Sequence, residues 1–458
     1  MVDGQSILQR QMRAALDSRR DRSILRRPHP DAFIPPPRNL ATPPVDFSSN
    51  DYLSLSSYRP LREHFLHTLS GAPQVLGSGG SRLLDGTHGE HVQLEERLAR
   101  FFRPDDTLVT RSAGQGAISP TTALLFNSGF DANAALFSVL PQPNDWIVYD
   151  ALVHASVHDG MRASRVPVGR RLPFEHSSVR DLEIKLRYVL DSDKGRGTVF
   201  FALEALYSMD GDLAPLTEIL RVVEGLLPAE RRCVIVDEAH STGIYGSGRG
   251  LVEQLGLGER VHVRLHTFGK AMASSGAVVL CDALTREYLI NYARSFIFTT
   301  APTIASVIAM GCSFDMVENG TTERFIDLLR TRLKNVPSRV MALPPHLQSD
   351  PPTRSPNPTS DASASPSTLP TPIIPILTPC PRPLAQHLRD QGFLARPITN
   401  PTVPKGEERV RICLHAENTE QEVNGLVDAL VEWAEEQIRK GSGVGGQERT
   451  LFISNAKL

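Results

Sequence analysis

The sequence has little charge imbalance, few aromatic residues and few cysteines, and each shortage excludes a class of protein. Its 49 lysines and arginines against 51 aspartates and glutamates leave a formal charge of −2, and aromatic residues make up 6% of the 458 positions. This composition argues against a nucleic-acid-binding protein, which concentrates basic residues on one face. The five cysteines are scattered without a CxxC pair, which is typical of a reduced intracellular protein and not of a disulfide framework or a zinc module.

Long apolar stretches are missing as well. No uninterrupted run approaches the roughly 20 apolar residues that a helix needs to cross a bilayer. The N-terminus is basic, but Asp3, Asp17 and Asp21 interrupt it and it has no long apolar core. We therefore expect neither a secretory signal nor a transit peptide at this end.

Proline, by contrast, is in excess: there are 35 prolines in the chain, more than the usual share of about 5%. Fourteen of them lie between Pro337 and Pro383, around a Ser/Thr/Asp/Pro stretch with almost no large apolar side chains. Such a stretch cannot bury enough apolar surface to offset its ordering entropy. We therefore expect a mobile surface insertion at about 345–372.

Between residues 61 and 310, short β-rich runs alternate with segments of helical length. This alternation predicts a large doubly wound α/β domain with a mainly parallel sheet. Residues 1–60 are expected to form an N-terminal helix and an extended connector, residues 311–442 a smaller α+β domain that holds the insertion, and residues 443–458 a flexible tail. The predicted strands of the large sheet are 123–126, 146–149, 198–203, 233–237, 262–267 and 277–281.

Two neighbouring predicted strands end in residues that carry a chemical signal. One strand ends in Asp237, with His240 shortly after it, and the next ends in Thr267 and is followed by Lys270. Open α/β sheets build their sites at this edge. Each residue alone would usually be a loop cap or a surface side chain. Together, a lysine for a Schiff base and an aspartate for a protonated pyridine nitrogen are what enzymes of pyridoxal 5′-phosphate (PLP) require.

Longer motifs, colinear over nearly the whole chain, carry a resemblance to a known family. They are AALDSRR (14–20), FSSNDYLSLS (47–56), GSGGSRLLDGTHGEHVQLEERLARFF (77–102), LLFNSGFDAN (124–133), DALVHASVHDG (150–160), YSMDGDLAPL (207–216), VDEAHSTGIYGSGRG (236–250), TFGKAMASSGAVVLC (267–281), NPTVPKG (400–406) and RVRICL (409–414). In these motifs the chain resembles the α-oxoamine synthases of the fold-type I PLP enzymes, and most of all the branch that makes 8-amino-7-oxononanoate. The resemblance implies PLP as the cofactor and a homodimer with shared active sites.

The resemblance also implies roles for individual residues at the cofactor. Lys270 would bond covalently to PLP and carry the substrate Cα proton, and Asp237 would keep the pyridine nitrogen protonated. His154 would stack on the ring, with His158 as the neighbour that could be confused with it. The other implied contacts are His240 at the phenolic oxygen, Ser208 and Thr267 at cofactor oxygens, the amides of Gly129 and Phe130 at the phosphate, and Thr299 or Thr300 at the phosphate of the other subunit's site.

For the amino-acid substrate, the resemblance implies that Arg411 holds the carboxylate, a task that suits the guanidinium fork. Arg409 lies two residues away on the same strand face and is the alternative. Asn50, in the FSSNDYLSLS motif, is expected at the same substrate site.

For the acyl substrate, the resemblance implies a contact from Arg26, and it implies that Thr402 also contacts substrate. Thr399 stands where the family usually has an arginine, and Arg396 lies three residues earlier and could compensate for it. The run GSGGSR (77–82) lacks the lysine and hydroxyl residue of a phosphate-binding GxxxxGK[ST] loop, so it predicts a tight turn and not a nucleotide site.

The reaction implied by the resemblance is the decarboxylative condensation of L-alanine with a pimeloyl thioester in biotin biosynthesis. It would give 8-amino-7-oxononanoate, CO2 and the free thiol. The alternatives are glycine C-acetyltransferase, 5-aminolevulinate synthase, serine palmitoyltransferase, a condensing enzyme of secondary metabolism and a catalytically silent partner subunit. The presence of Lys270 argues against the silent partner.

The final tripeptide, Ala456-Lys457-Leu458, resembles the SKL peroxisomal address. It predicts a peroxisomal enzyme that binds the import receptor; without that signal, a cytoplasmic enzyme is expected. A peroxisomal location favours pimeloyl-CoA over a pimeloyl carrier protein as the acyl donor, because β-oxidation makes CoA esters in that compartment.

Overall fold

The computed structural model describes residues 6–22, 24–25, 44–103, 122–193, 196–340 and 369–442. Its strands are β1 (Val45–Asp46), β2 (Thr122–Phe126), β3 (Trp146–Asp150), β4 (Arg171–Phe174), β5 (Val199–Glu204), β6 (Arg232–Asp237), β7 (Val263–Thr267), β8 (Ala277–Cys281), β9 (Ile373–Leu377), β10 (Phe393–Leu394), β11 (Arg396–Ile398) and β12 (Arg409–Cys413). Its α-helices are α1 (Ile7–Asp21), α2 (Arg59–Gly71), α3 (Gly89–Phe101), α4 (Gly129–Val139), α5 (Ala155–Ala163), α6 (Val179–Asp193), α7 (Leu216–Leu226), α8 (Leu251–Gln254), α9 (Ala283–Tyr292), α10 (Arg294–Ile297), α11 (Ile304–Glu318), α12 (Thr321–Val340), α13 (Pro381–Asp390) and α14 (Glu420–Ser442).

The large sheet has seven strands in the order β2-β8-β7-β6-β5-β3-β4. Its pairs are parallel except around β8, which runs antiparallel to both β2 and β7. This confirms the predicted doubly wound, mainly parallel α/β fold. The predicted strands are near-continuous apolar runs, as expected for strands that are covered on both faces.

Both faces of this sheet are buried in apolar cores. Val148, Phe201 and Val234 belong to one cluster, while their chain neighbours Ile147 and Phe200 belong to another on the opposite face. Successive side chains of a strand point to opposite faces, so the helices that contribute to the two clusters lie on both sides of the sheet.

One strand of the sheet escaped prediction. β4 (Arg171–Phe174) is only four residues long, contains Pro173 and pairs with β3 alone at the edge of the sheet. A proline cannot donate to a strand ladder and is therefore confined to edges. The sequence of this strand accordingly lacks the apolar signal that marks the buried strands.

The smaller part of the chain is built on an antiparallel three-stranded sheet, β11-β12-β9, with α13 packed on β11 and β12 and α14 packed against α12 and α13. The expected boundary at residue 310 falls inside α11 (Ile304–Glu318), which packs against α2, α3 and α12. Within the described chain, therefore, a continuous helix and not a loop passes through that position. Most of the expected insertion and all of the expected tail lie outside the described residues.

Two expectations from composition can be compared with the structure. All five cysteines lie in the described chain and are free thiols. Among the described helices, none combines the length and the apolar character that crossing a bilayer requires.

Candidate functional site

The carboxyl edge of the large sheet brings two buried carboxyl groups together. Glu204 ends β5 and Asp237 ends β6, and the two residues are register partners in the parallel pair. Burial, and second the negative charge of Asp237, raise the pKa of Glu204 well above its ordinary value. Glu204 was not predicted as a site residue, although it directly follows the predicted strand 198–203.

Two N–H donors hold Asp237 in place. The side-chain amide of Asn133 donates to Asp237 Oδ2 at 2.7 Å, and the backbone N–H of Ala239 donates to Asp237 Oδ1 at 2.8 Å. Asn133 also donates to Ser156 Oγ at 3.1 Å. Bonds of this kind stabilise the charged form of a carboxylate, and its remaining lone pairs can accept a further N–H.

Lys270 interacts with both carboxyl groups. Its pKa falls from 10.5 to about 8, chiefly because burial disfavours the ammonium ion and also because Arg411 is cationic, while Asp237 and Glu204 oppose the shift. A lysine with this pKa has a substantial neutral fraction near neutral pH and can act as a nucleophile or a base.

The structure separates His154 from His158. His154 caps the N-terminus of α5, where its Nδ1 lies 2.7 Å from Ser156 Oγ. Desolvation lowers the pKa of His154; the positive charge of Lys270 contributes, while Asp237 opposes the shift. His158 instead packs edge-on against Tyr149, with ring centroids 5.5 Å apart. His154 is therefore the histidine that belongs to the Lys270 cluster.

A hydrogen-bonded network joins His240 to Arg411. The Tyr52 hydroxyl lies 2.7 Å from His240 Nδ1 and 3.1 Å from Asn50 Oδ1. Arg411 Nη2 donates to Asn50 Oδ1 at 3.0 Å and to the Tyr52 hydroxyl at 3.2 Å, and Arg411 Nε donates to the Ser208 carbonyl at 2.6 Å. Burial, with Lys270 and Arg411 as nearby cations, lowers the pKa of His240 well below its ordinary value, so its imidazole is neutral.

Arg409 has a different set of partners. Its guanidinium is paired with Asp210 and donates to the Met209 carbonyl at 3.2 Å and to the Glu407 carbonyl at 2.9 Å. Arg411 is the arginine in contact with the His240 network, and its charge reaches Lys270. The two arginines that the sequence leaves as alternatives thus differ in their hydrogen-bond partners.

The start of α4 lies against the end of β7. A Cβ atom added to Gly129 would meet Thr267 Cγ2 at 2.5 Å, so a glycine is needed there. The Ser128 hydroxyl caps the helix by accepting from the Asp131 N–H at 3.1 Å. Free N–H groups in the first turn of a helix bind phosphate well. The site therefore has an amine for an aldehyde at Lys270, a carboxyl group for a pyridine nitrogen at Asp237, and a helix start for a phosphate at α4.

We expect Gly129→Ala to weaken PLP binding. A clash of this kind costs about 1–3 kcal/mol, which equals a loss of about 5- to 150-fold if it falls on PLP affinity. Titration of the PLP-free protein with PLP checks this. Gly225→Ala is the matched control, because Gly225 also lies in a helix and its Cβ would meet nothing within 4 Å. Equal PLP affinity in the two variants would contradict the placement of the phosphate at α4.

Several predicted site residues stand apart from this cluster in the described chain. Thr299 and Thr300 are exposed, and the Thr300 carbonyl accepts from Asn127 Nδ2 at 2.9 Å. Thr402 is exposed as well, with its N–H donating to the Thr399 carbonyl at 3.0 Å. Arg26 lies outside the described residues.

The sequence also makes predictions for the GSGGSR run and for Arg396. The GSGGSR run does form a turn, in which Gly79 has φ 81°, and Ser81 bridges to Thr300. Arg396 is exposed on β11 and donates to Ser48 Oγ at 3.1 Å. None of the described contacts of Arg396 or the run joins either of them to Lys270.

Comparisons with known proteins agree with this geometry. Residues 42–430 match the family model of class I and II aminotransferases. The chain is 42% identical over 408 residues to an 8-amino-7-oxononanoate synthase of Emericella nidulans, covering 86% of this chain and 90% of that protein. It is 36% identical over 409 residues to an aminoacyl transferase sphA of Byssochlamys spectabilis, covering 86% and 82%.

Among solved structures, a serine palmitoyltransferase that contains PLP superposes with a TM-score of 0.72. It shares 22% sequence identity, and the match covers 93% of this chain and 98% of that one. At this identity the likeness concerns the fold.

Proposed function

Since the chain belongs to the α-oxoamine synthases within the class I and II aminotransferase family and is a PLP-dependent acyltransferase, we propose that it condenses L-alanine with a pimeloyl thioester, pimeloyl-CoA in particular. The products are 8-amino-7-oxononanoate, CO2 and the free thiol. The observation that carries the proposal is Arg411, a cation for the amino-acid carboxylate beside Lys270 and Asp237. The identity to an 8-amino-7-oxononanoate synthase supports the choice of substrates.

Each residue of the cluster has a separate role in the proposed reaction. PLP, when bound, supplies an electron sink for the electron pair left at the amino-acid Cα. Lys270 removes the Cα proton at its neutral Nζ and returns a proton at the end, and Asp237 holds a proton on the pyridine nitrogen. Arg411 orients the amino-acid carboxylate, and the His154 ring covers one side of the site. The new Cα–C bond forms as the thioester C–S bond breaks, and the carboxylate carbon leaves as CO2.

Replacing Arg411 by lysine should raise KM for the amino acid. A lysine cannot make the two-pronged bond to a carboxylate, and a lost bond to a charged group costs about 1.5–3 kcal/mol, or about 10- to 100-fold. Steady-state kinetics with varied alanine measures this. Arg409→Lys on the same strand face is the control, and it should alter stability through Asp210 and leave KM for alanine unchanged. A larger KM effect at position 409 would reverse the assignment.

A thiol-release assay across amino acids and acyl-CoA esters tests the function. We expect the highest kcat/KM with L-alanine and pimeloyl-CoA, and 8-amino-7-oxononanoate as the product by mass spectrometry. Preference for glycine with acetyl-CoA, or silence with alanine and pimeloyl-CoA, would overturn the proposal. A condensing enzyme with a different amino acid or acyl donor is the second candidate, which the 36% identity to an aminoacyl transferase favours.

Two further proposals concern assembly and location. The exposure of Thr299 and Thr300 supports a homodimer in which these residues complete the partner's phosphate site, and light scattering of the purified protein tests it. The peroxisomal address lies outside the described residues and stays a prediction. A fluorescent fusion that is cytosolic both with and without the last three residues would contradict it.

A further inference from the structure

Behind the cofactor site, a histidine bridges two carboxylates. His176 Nδ1 lies 2.8 Å from Asp150 Oδ1, and His176 Nε2 lies 2.9 Å from Asp212 Oδ2. The Asp150 side chain is 1% exposed, the Asp212 side chain 15% and the His176 side chain 19%. The ring of Tyr207 packs edge-on against the imidazole, with centroids 4.4 Å apart. Neither the proposed mechanism nor the sequence motifs assign this group a role.

Each carboxylate belongs to a loop that carries a residue of the cofactor site. Asp150 ends β3 and accepts the Leu152 N–H at 2.9 Å, and the chain then reaches His154. Asp212 closes the loop from Tyr207, whose N–H donates to the Asp212 carbonyl at 3.0 Å. That loop includes Ser208, whose carbonyl accepts from Arg411. His176 therefore stands between the loop of His154 and the loop of Ser208.

The geometry favours a cation at this position. With both ring nitrogens within hydrogen-bond distance of a carboxylate, the ring donates at each end only when it is doubly protonated. Among the described residues Asp212 Oδ1 is buried without a hydrogen-bond partner, and a buried carboxylate is stabilised by a neighbouring cation. The neighbouring Ser177 has φ 54°, a left-handed conformation that costs free energy. Its N–H donates to Asp150 Oδ2 at 2.8 Å.

We propose that His176 is a positioning residue whose imidazolium ties the His154 loop to the Ser208 loop and thereby sets the width of the PLP site. The proposal rests on the PLP site described above and does not depend on which substrates the enzyme uses. It assigns His176 no contact with cofactor or substrate.

The charge of His176 gives the proposal a pH signature. The two hydrogen-bonded aspartates outweigh burial and raise the pKa of His176 from 6.5 to about 10. A raised pKa in the folded state adds stability that is complete below the unfolded value of 6.5 and is lost as the pH rises through about 10. The ionisable groups that face the ring or its two carboxylates are Asp150, Asp212, Tyr207 and Glu204. Burial raises the pKa values of Tyr207 and Glu204 well above their ordinary values.

The experiment compares His176→Asn with His64→Asn. His64 also forms a histidine–carboxylate pair, with Asp315 at 2.5 Å, but between the helices α2 and α11. We expect His176→Asn to weaken PLP binding by about 2- to 100-fold, the range of coupling between residues of one hydrogen-bonded network, and His64→Asn to leave PLP binding unchanged. In PLP-free protein, the deficit in Tm of His176→Asn should be greatest near pH 6 and shrink toward pH 10.

Two results would overturn the inference: unchanged PLP affinity in His176→Asn, or a deficit in Tm that stays constant over this pH range. If the variant does not fold, histidine-selective ¹⁵N NMR of the PLP-free wild-type protein decides. One imidazole that stays doubly protonated at about pH 8.5 supports the proposal, and a spectrum with none contradicts it. These measurements need no substrate. If PLP affinity and Tm behave as expected but the condensation assay is negative, only the proposed substrates are overturned.

Discussion

Lys270→Ala should abolish turnover, with a loss of about 10⁴-fold or more, the upper range for removal of a general acid–base group. The variant loses the amine that bonds to PLP and that carries the Cα proton in the proposed reaction, so the visible absorbance of PLP bound to lysine should disappear as well. Single-turnover kinetics and the absorbance spectrum of the PLP-loaded protein measure the two effects.

Two companion variants separate the amine of Lys270 from its charge. Lys270→Arg keeps a cation near Asp237 and Glu204 but cannot bond to the cofactor aldehyde, so it should be as inactive as the alanine variant. Lys185→Ala is the control, because Lys185 is a half-buried lysine 3.7 Å from Asp181 on α6. If Lys270→Ala retained the absorbance of PLP bound to lysine, the assignment of Lys270 to the cofactor site would be wrong.

Asp237→Asn should lower kcat by about 10²- to 10³-fold, the range seen when one group that stabilises transition-state charge is removed. An amide has no negative charge with which to hold a proton on the pyridine nitrogen, so the cofactor becomes a weaker electron sink. The pH-dependent spectrum of bound PLP should report the lost proton.

The surroundings of Asp237 allow this substitution without a large loss of stability. The backbone N–H of Ala239 can still donate to the amide oxygen, and Asn133 Oδ1, which is buried without a partner, can accept from the new NH2 group after the Asn133 amide turns over. Asp145→Asn is the matched control at the opposite edge of the sheet, where Asp145 accepts from the Thr198 N–H at 2.9 Å. It should lower Tm and leave kcat unchanged; a normal kcat in Asp237→Asn would contradict the role of the carboxylate.

The sequence by itself determined the large sheet and the lysine–aspartate pair, because both are local properties of the chain. A buried strand is one continuous apolar run. Five of the six predicted strands differ from the observed strands by a single residue at one end or at both. The sixth, 277–281, has the observed bounds of β8. Asp237 ends one such run and Lys270 follows another after two residues, so the predicted strands also placed both residues at the sheet edge. β4 carried no such run and was missed.

Only the tertiary structure distinguished side chains that the sequence leaves equivalent. Arg411 and Arg409 share a strand face, and they differ through Asn50, 361 residues from Arg411, and Asp210, 199 residues from Arg409. His176 lies within hydrogen-bond distance of two aspartates, one before it and one after it in the chain. Hydrogen bonds and desolvation between distant segments set these roles, and no periodicity within a single segment encodes them.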